Sequence, residues 1–188
     1  LPDGSVDLIY TDPPYEMEYS SCIPGSKQWN KEGKTESKFE PIIGDKVGDI
    51  DWDAFAEQCY RLMKPDSFMF MHHNMPFWAR NGTKFSDRMA YRGTIAWNKK
   101  FAIGGNLCQS MKRDWEQISY FSKGSPTLNP IKVLRKEAGQ MEMVERKRIS
   151  EISDWVFQLK ADEKVKHPTQ KPVDLAKQVI SLASPTGG

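Results

Sequence analysis

No apolar run in this chain of 188 residues approaches the roughly 18 to 20 residues that span a bilayer, so an ordinary transmembrane helix is excluded from the reading. Cysteine is scarce: Cys22, Cys59 and Cys108 are widely spaced and form no C-x-x-C pair. That pattern argues against a disulfide framework and for reduced thiols in a cytoplasmic protein. No signal peptide precedes them, so the sequon Asn81-Gly82-Thr83 reads as a turn. There is no G-x-x-x-x-G-K phosphate loop, zinc-ligand spacing, hydrolase nucleophile elbow, internal repeat or low-complexity segment. His72 and His73 are adjacent, and neighbours on a strand face opposite ways, so they do not chelate one metal. The acids of "DIDWD" imitate a calcium loop, but no Gly stands at the sixth position from Asp49, and Tyr60 occupies the place of the bidentate Glu. Charge of one sign is lacking too. A formal net charge of +2 neither indicates nor excludes nucleic acid, and any basic surface must be local.

What is present suits one soluble α/β domain, with 38% hydrophobic and 28% charged residues. Val6 to Tyr10 is a short apolar run interrupted only by Asp7, the pattern of a strand buried on both faces in a parallel sheet. Residues 16 to 50 show neither period and read as a long loop. Trp52, Phe55, Ala56, Cys59, Leu62 and Met63 then recur at helical spacing, with Asp51 or Asp53 as cap and Lys64-Pro65 as stop. Phe68 to Met71 is a second buried strand, and the order strand, helix, strand indicates a parallel crossover. A helix is expected over residues 75 to 90, although Pro76, Asn81 and Gly82 interrupt its pattern. "YRGTIAWNK" and "EQISYFSKG" read as two further strands. The final helix begins near Pro172 and Asp174, with Val173, Ala176, Val179, Ile180 and Ala183 on one face. Trp29, Trp78 and Trp97 read as core or loop packing.

The first strand ends in "DPPY", Asp12 to Tyr15, just beyond its carboxyl end, where open α/β sheets place their ligands. Asp12 offers carboxylate acceptors, and Pro13 and Pro14 have no N–H and stiffen the backbone, with carbonyls as their polar groups. Tyr15 adds a flat face for a planar ring. This set suits an exocyclic amino group on a flat heterocycle. Two acceptors drawing on its N–H bonds free the nitrogen lone pair from the ring, so that a poor nucleophile becomes usable. Turn chemistry alone accounts for the same four residues as a proline-rich turn.

"DPPY" resembles motif IV of the S-adenosylmethionine-dependent DNA amino methyltransferases, which act on adenine N6 or cytosine N4. "KHPTQKPVDL", Lys166 to Leu175, is similar to their motif X. The entry "LPDGSVDLIYTDPPY" and the later "IAWNK" and "RDWEQISYFSKG" also resemble the family, which leaves only residues 16 to 50 and 125 to 160 unmatched. Motif IV before motif X is the permuted beta-class order, familiar from restriction–modification systems. The resemblance implies a Rossmann-like methyltransferase fold, here in part, comprising strands four to seven with their helices. It implies Asp12, Pro13, Pro14 and Tyr15 as catalytic, and His167, Thr169, Gln170 and Lys171 as binding S-adenosylmethionine. Helix-start chemistry also accounts for His167 and Lys171. The substrate implied is double-stranded DNA with a flipped base. Asp in first position favours adenine, since many cytosine members carry Ser there.

Between motifs VIII and X, in the stretch 125 to 166, a target-recognition region is expected, with Lys132, Arg135, Lys136, Arg146, Lys147 and Arg148 toward phosphates. Glu137, Glu142 and Glu145 dilute that charge, and a solvated helix is the competing reading. Motif I, which holds much of the cofactor, would follow Gly188, and the chain opens without Met. The expectation is a piece of a longer enzyme, inactive alone, with weak cofactor binding and a bare sheet edge at Val6 to Tyr10 that invites self-association. A non-catalytic nucleic-acid-binding remnant is the alternative.

Overall fold

The computed structural model describes residues 1–17, 27–29, 35–37, 43–103, 113–129, 131–137, 140–146 and 171–185. Its centre is a four-stranded sheet built from β1 (Val6–Thr11), β4 (Met63–His73), β5 (Ala90–Ile103) and β6 (Arg113–Lys123), in the order β1-β4-β6-β5. β1 runs parallel to β4, with Ile9 opposite Met69 and Thr11 opposite Met71. β6 is antiparallel to both of its neighbours, pairing His73 with Gln117 and Ile95 with Ile118. Helix α1 (Trp52–Leu62) lies between the two parallel strands in the chain, as a crossover requires.

Side chains of β4 alternate between two cores. Met69 and Met71 pack with Trp52, Ala56 and Cys59 of α1 and with Phe77 and Phe85 of α2 (Met75–Ser86). Phe68 and Phe70 pack on the other face with Trp97, Ile118 and α3 (Val173–Ala183). Every residue from Ser67 to His73 is buried, so β4 is the strand covered on both faces. β1, expected in that role, is half-buried along its length because among the described residues it ends the sheet and pairs only with β4.

Helix boundaries follow local chemistry. Asp51 caps α1, its carboxylate accepting from the amides of Asp53 and Ala54. Asn74 caps α2 through the Phe77 amide at 2.7 Å, and Pro76 sits in the first turn, where its missing N–H costs nothing. The Asn81-Gly82-Thr83 turn is not observed: α2 runs through it. Gly82 passes beneath the Trp78 indole, where a Cβ would stand 2.9 Å from two ring carbons, so the glycine serves close packing and not chain reversal.

The buried face of α3 also differs from the expected one. Leu175, Val179, Leu182 and Ala183 face the sheet, whereas Val173 and Ile180 are 61% and 46% exposed. Spacing i, i+4, i+7, i+8 from Leu175 gives one continuous stripe, and Val173 and Ile180 fall beside it. The expected long loop contains a short antiparallel pair, β2 (Lys27–Trp29) with β3 (Thr35–Ser37), which places Trp29 on a strand. In the region of the expected phosphate contacts, β7 (Ile131–Glu137) pairs antiparallel with β8 (Gln140–Arg146), and these two segments are strands and not a solvated helix. The register sets Lys132 opposite Glu145 and Arg135 opposite Glu142, so residues of opposite charge share cross-strand positions.

Among the described residues, no helix is long and apolar enough to cross a membrane, and no group of three His, Cys, Asp or Glu is placed to hold a metal ion. The two histidines do face opposite ways. His72 Nε2 meets the Tyr10 hydroxyl at 2.7 Å, and His73 Nε2 meets Ser119 Oγ at 2.7 Å while stacking on Trp78. Burial lowers the pKa of His73 and raises that of the Cys59 thiol to about 11, which makes both packing groups at neutral pH. Cys22 and Cys108 lie outside the described residues.

Candidate active site

The carboxyl ends of β1 and β4 and the amino end of antiparallel β6 share one rim of the sheet, because the register pairs His73 with Gln117. The residues after β1 emerge there. Pro13 is buried and anchors the turn, Pro14 and Tyr15 are half-buried, and Asp12 is exposed as a residue while its side chain is 27% exposed. The Tyr15 hydroxyl donates to Asp12 Oδ1, and the ring leans on Phe77 with centroids 6.4 Å apart. Burial first, and then the negative charge and hydrogen bond of Asp12, push the Tyr15 pKa far up. The phenol therefore stays protonated and remains a donor. Tyr10 is raised as well, by burial and then by the charges of Asp12 and Glu116.

Lys171, just ahead of α3, reaches this turn from the other side. Its ammonium is 3.2 Å from Asp12 Oδ2, 3.0 Å from Glu116 Oε2 and 5.5 Å from the centroid of the Tyr15 ring. With its side chain only 13% exposed, Lys171 lies where ion pairs are screened less than on an open surface. The result is two carboxylates sharing one cation beside an aromatic face.

A second cluster holds the turn from beneath. Glu16 has a positive φ of 57°, unusual for a residue with a Cβ, and its side chain is 4% exposed. Trp52 Nε1 donates to Oε1 at 2.8 Å; Arg80 Nε and Asn81 Nδ2 donate to Oε2 at 3.0 and 3.2 Å. Burial alone would raise its pKa, but these hydrogen bonds outweigh that cost and hold it below the ordinary carboxylate value. One residue on, the Met17 amide donates to Asp45 Oδ1 at 3.1 Å. The turn is thus tied to α1 and α2 through side chains that favour the ionised form of Glu16.

Of the sequence-predicted site residues, Asp12, Pro13, Pro14, Tyr15 and Lys171 converge on one rim. His167, Thr169, Gln170, Lys147 and Arg148 lie outside the described residues, and Lys132, Arg135, Lys136 and Arg146 are placed by backbone on the antiparallel β7–β8 pair. Glu16, Glu116, Trp52, Arg80 and Asn81 were missed. Glu16 adjoins the motif and Glu116 lies near the start of β6, but neither carries a local pattern that separates it from a solvated acid.

The model of the family described as DNA methylase, N6_N4_Mtase, matches residues 6–188. The chain is 25% identical over 105 residues to the type II methyltransferase M.BamHI of Bacillus amyloliquefaciens, a match covering 55% of this chain and 21% of that protein. The fold is similar to that of the PvuII DNA methyltransferase, named as cytosine-N4-specific (TM-score 0.60, 14% identity, 98% of this chain and 66% of that one). It is also similar to M1.HpyAVI in complex with SAM (TM-score 0.53, 18% identity, 96% of this chain and 67% of that one). The match spans about a fifth of the curated relative's length, and the chain covers about two thirds of these solved structures.

Proposed function

This chain belongs to the N6/N4 DNA methylase family, and from that premise we propose that it transfers a methyl group from S-adenosylmethionine to the exocyclic amino group of a flipped DNA base, adenine N6 in preference to cytosine N4. The observation that carries the proposal is the Asp12-to-Tyr15 turn, where a carboxylate side chain 27% exposed adjoins a half-buried ring at the carboxyl rim of the sheet. Asp12 and the Pro13 carbonyl accept the two amino N–H bonds, and Tyr15 stacks on the base. Stacking and hydrogen bonding repay the few kcal/mol that flipping costs. Asp at the first position is the basis for preferring adenine; the cytosine-N4-specific relative keeps the other base in view.

The charges at the rim fit the donor. S-adenosylmethionine carries an ammonium and a carboxylate at its amino-acid end and a cationic sulfur, and among the described residues the rim carries the cation Lys171 and the carboxylates Asp12 and Glu116. The donor, when bound, supplies an activated methyl group. His167, Thr169 and Gln170 are proposed to hold it together with Lys171, and the antiparallel β7–β8 pair with Lys147 and Arg148 to meet DNA phosphates. The outer edge of β1 is the place where a further strand or a second copy would pair.

The test uses the full-length protein with methyl-labelled donor and unmethylated genomic DNA, digested to nucleosides for mass spectrometry. N6-methyladenine is expected. N4-methylcytosine would change the base, and no labelled nucleoside would overturn the proposal. Asp12→Ala should abolish transfer with donor affinity within a few fold, and retention of more than about a tenth of the rate contradicts the role given to the carboxylate.

A further inference from the structure

Glu16 stands where glycine would be easier. Its φ of 57° lies in the left-handed region, which is unfavourable for a residue with a Cβ and persists only where the surroundings over-determine it. A glycine there would lack the carboxylate, and the carboxylate is what the surroundings hold. Oε1 takes the Trp52 indole of α1, Oε2 takes Arg80 and Asn81 of α2, and the amide of Gly48, in the segment leading into α1, donates to the same group. With its side chain 4% exposed, Glu16 makes these bonds where water competes little and a hydrogen bond is electrostatically stronger.

The link from this clamp to the reacting groups is short and stiff. Upstream, Thr11 is fixed in the sheet by its pairing with Met71. Between Thr11 and Glu16 stand four residues, of which Pro13 and Pro14 have φ locked by their rings. Held at both ends, this segment keeps few soft dihedrals, and Asp12, the Pro13 carbonyl and Tyr15 fall between the two holds. The Tyr15 ring leans on Phe77, from the same helix that supplies Arg80 and Asn81, so α2 both seats the ring and holds the clamp.

On the methyltransferase reading, on which this inference rests, the amino nitrogen attacks well only when its acceptors and its stacking face stand in one arrangement. A displacement of about 1 Å can slow a reaction about a hundredfold. We infer that Glu16 is a positioning residue for methyl transfer: by fastening the downstream end of the Asp12-to-Tyr15 turn to α1 and α2, it holds the Asp12 carboxylate, the Pro13 carbonyl and the Tyr15 ring in the arrangement that receives the base. It lies buried beneath the turn and acts through it.

Single-turnover transfer by the full-length protein, at saturating donor and DNA and well below the Tm of each variant, tests it. Glu16→Ala should slow transfer at least about tenfold, while calorimetry without DNA finds its affinity for S-adenosylmethionine within a few fold of wild type. Glu16→Gln separates the link from the charge. Its carbonyl oxygen still accepts from Trp52, its amide donates to Asn81 once that side chain turns over, and Arg80 turns to water. It should recover most of the rate. Trimethylamine N-oxide, which favours burial by its exclusion from the surface, should raise the Tm of Glu16→Ala without restoring its rate. A glutamate that only stabilises the fold would show no loss once folded, or a rate that returns with Tm. Where Glu16→Ala does not fold, Glu16→Asp, whose carboxylate is withdrawn by one methylene, carries the same expectations. A loss under about tenfold, Glu16→Gln as slow as Glu16→Ala, a rate restored with Tm, or donor affinity lost with the rate overturns the inference. Wild-type protein that binds no donor or transfers nothing fails the methyltransferase reading itself, and the inference falls with it.

Discussion

Replacing Glu16 by Ala removes the acceptor that holds the Asp12-to-Tyr15 turn onto α1 and α2. Two of its four donors have nowhere else to go: Trp52 and Asn81 are 2% and 4% exposed, whereas the Gly48 amide, the fourth, is exposed and can turn to water. A buried donor left without an acceptor costs about 1–3 kcal/mol. Arg80, with a side chain 41% exposed, can turn to water, so its ion pair adds at most about 1 kcal/mol. Water entering the space left by the carboxyl offsets part of the cost, and a loss of roughly 3 kcal/mol is expected. For a chain of this size that corresponds to a fall of roughly 6–12 °C in Tm, at about 2–4 °C per kcal/mol.

The pH dependence has a definite sign. A carboxyl held below its ordinary value of 4.5 in the folded state contributes stability that is present above that value and is lost as pH falls through the folded one. The gap between wild type and Glu16→Ala should therefore be full at neutral pH and narrow below 4.5. Urea denaturation at neutral and at acidic pH measures both. A loss under about 1 kcal/mol at neutral pH, or a gap that widens with acid, would refute the idea that these hydrogen bonds hold the turn.

Tyr15→Phe keeps the ring and loses only the bond to exposed Asp12, so methyl transfer should fall by no more than a few fold. Tyr15→Ala loses a stacking face worth about 1–3 kcal/mol and should fall about ten- to a hundredfold; equal damage from both would end the stacking role. Gly82→Ala inverts the usual helix rule. The added methyl ordinarily gains up to about 1 kcal/mol inside a helix, but here it meets an indole held by its stack on His73 and by Phe121. A net loss of about 1–2 kcal/mol is expected in urea denaturation, and a gain would show that Trp78 yields.

Local pattern determined much of this protein. The apolar stretches, the helical spacing from Trp52 to Leu62 and the order strand, helix, strand were enough for a parallel β1–β4 pair with Asp12 to Tyr15 at its carboxyl end. Such features repeat every two or 3.6 residues and are written within a short window of chain. The interruptions at Asn81 and Gly82 misled the same reasoning. A glycine inside a helix and a glycine in a turn look alike until the indole packed over it is known.

Only the tertiary structure decided how the site is charged. Glu116 shares the Lys171 ammonium with Asp12 because β6 runs antiparallel to β4 in a register that brings its first residues to the carboxyl rim, and Lys171 arrives there because α3 packs its Leu175 stripe on the opposite core. Glu16 became an anchor only when α1 presented Trp52 and α2 presented Arg80 and Asn81 to one carboxyl group. An ion pair between distant residues leaves no period in the sequence: sheet order and register set its distance, and these are products of the whole chain's packing.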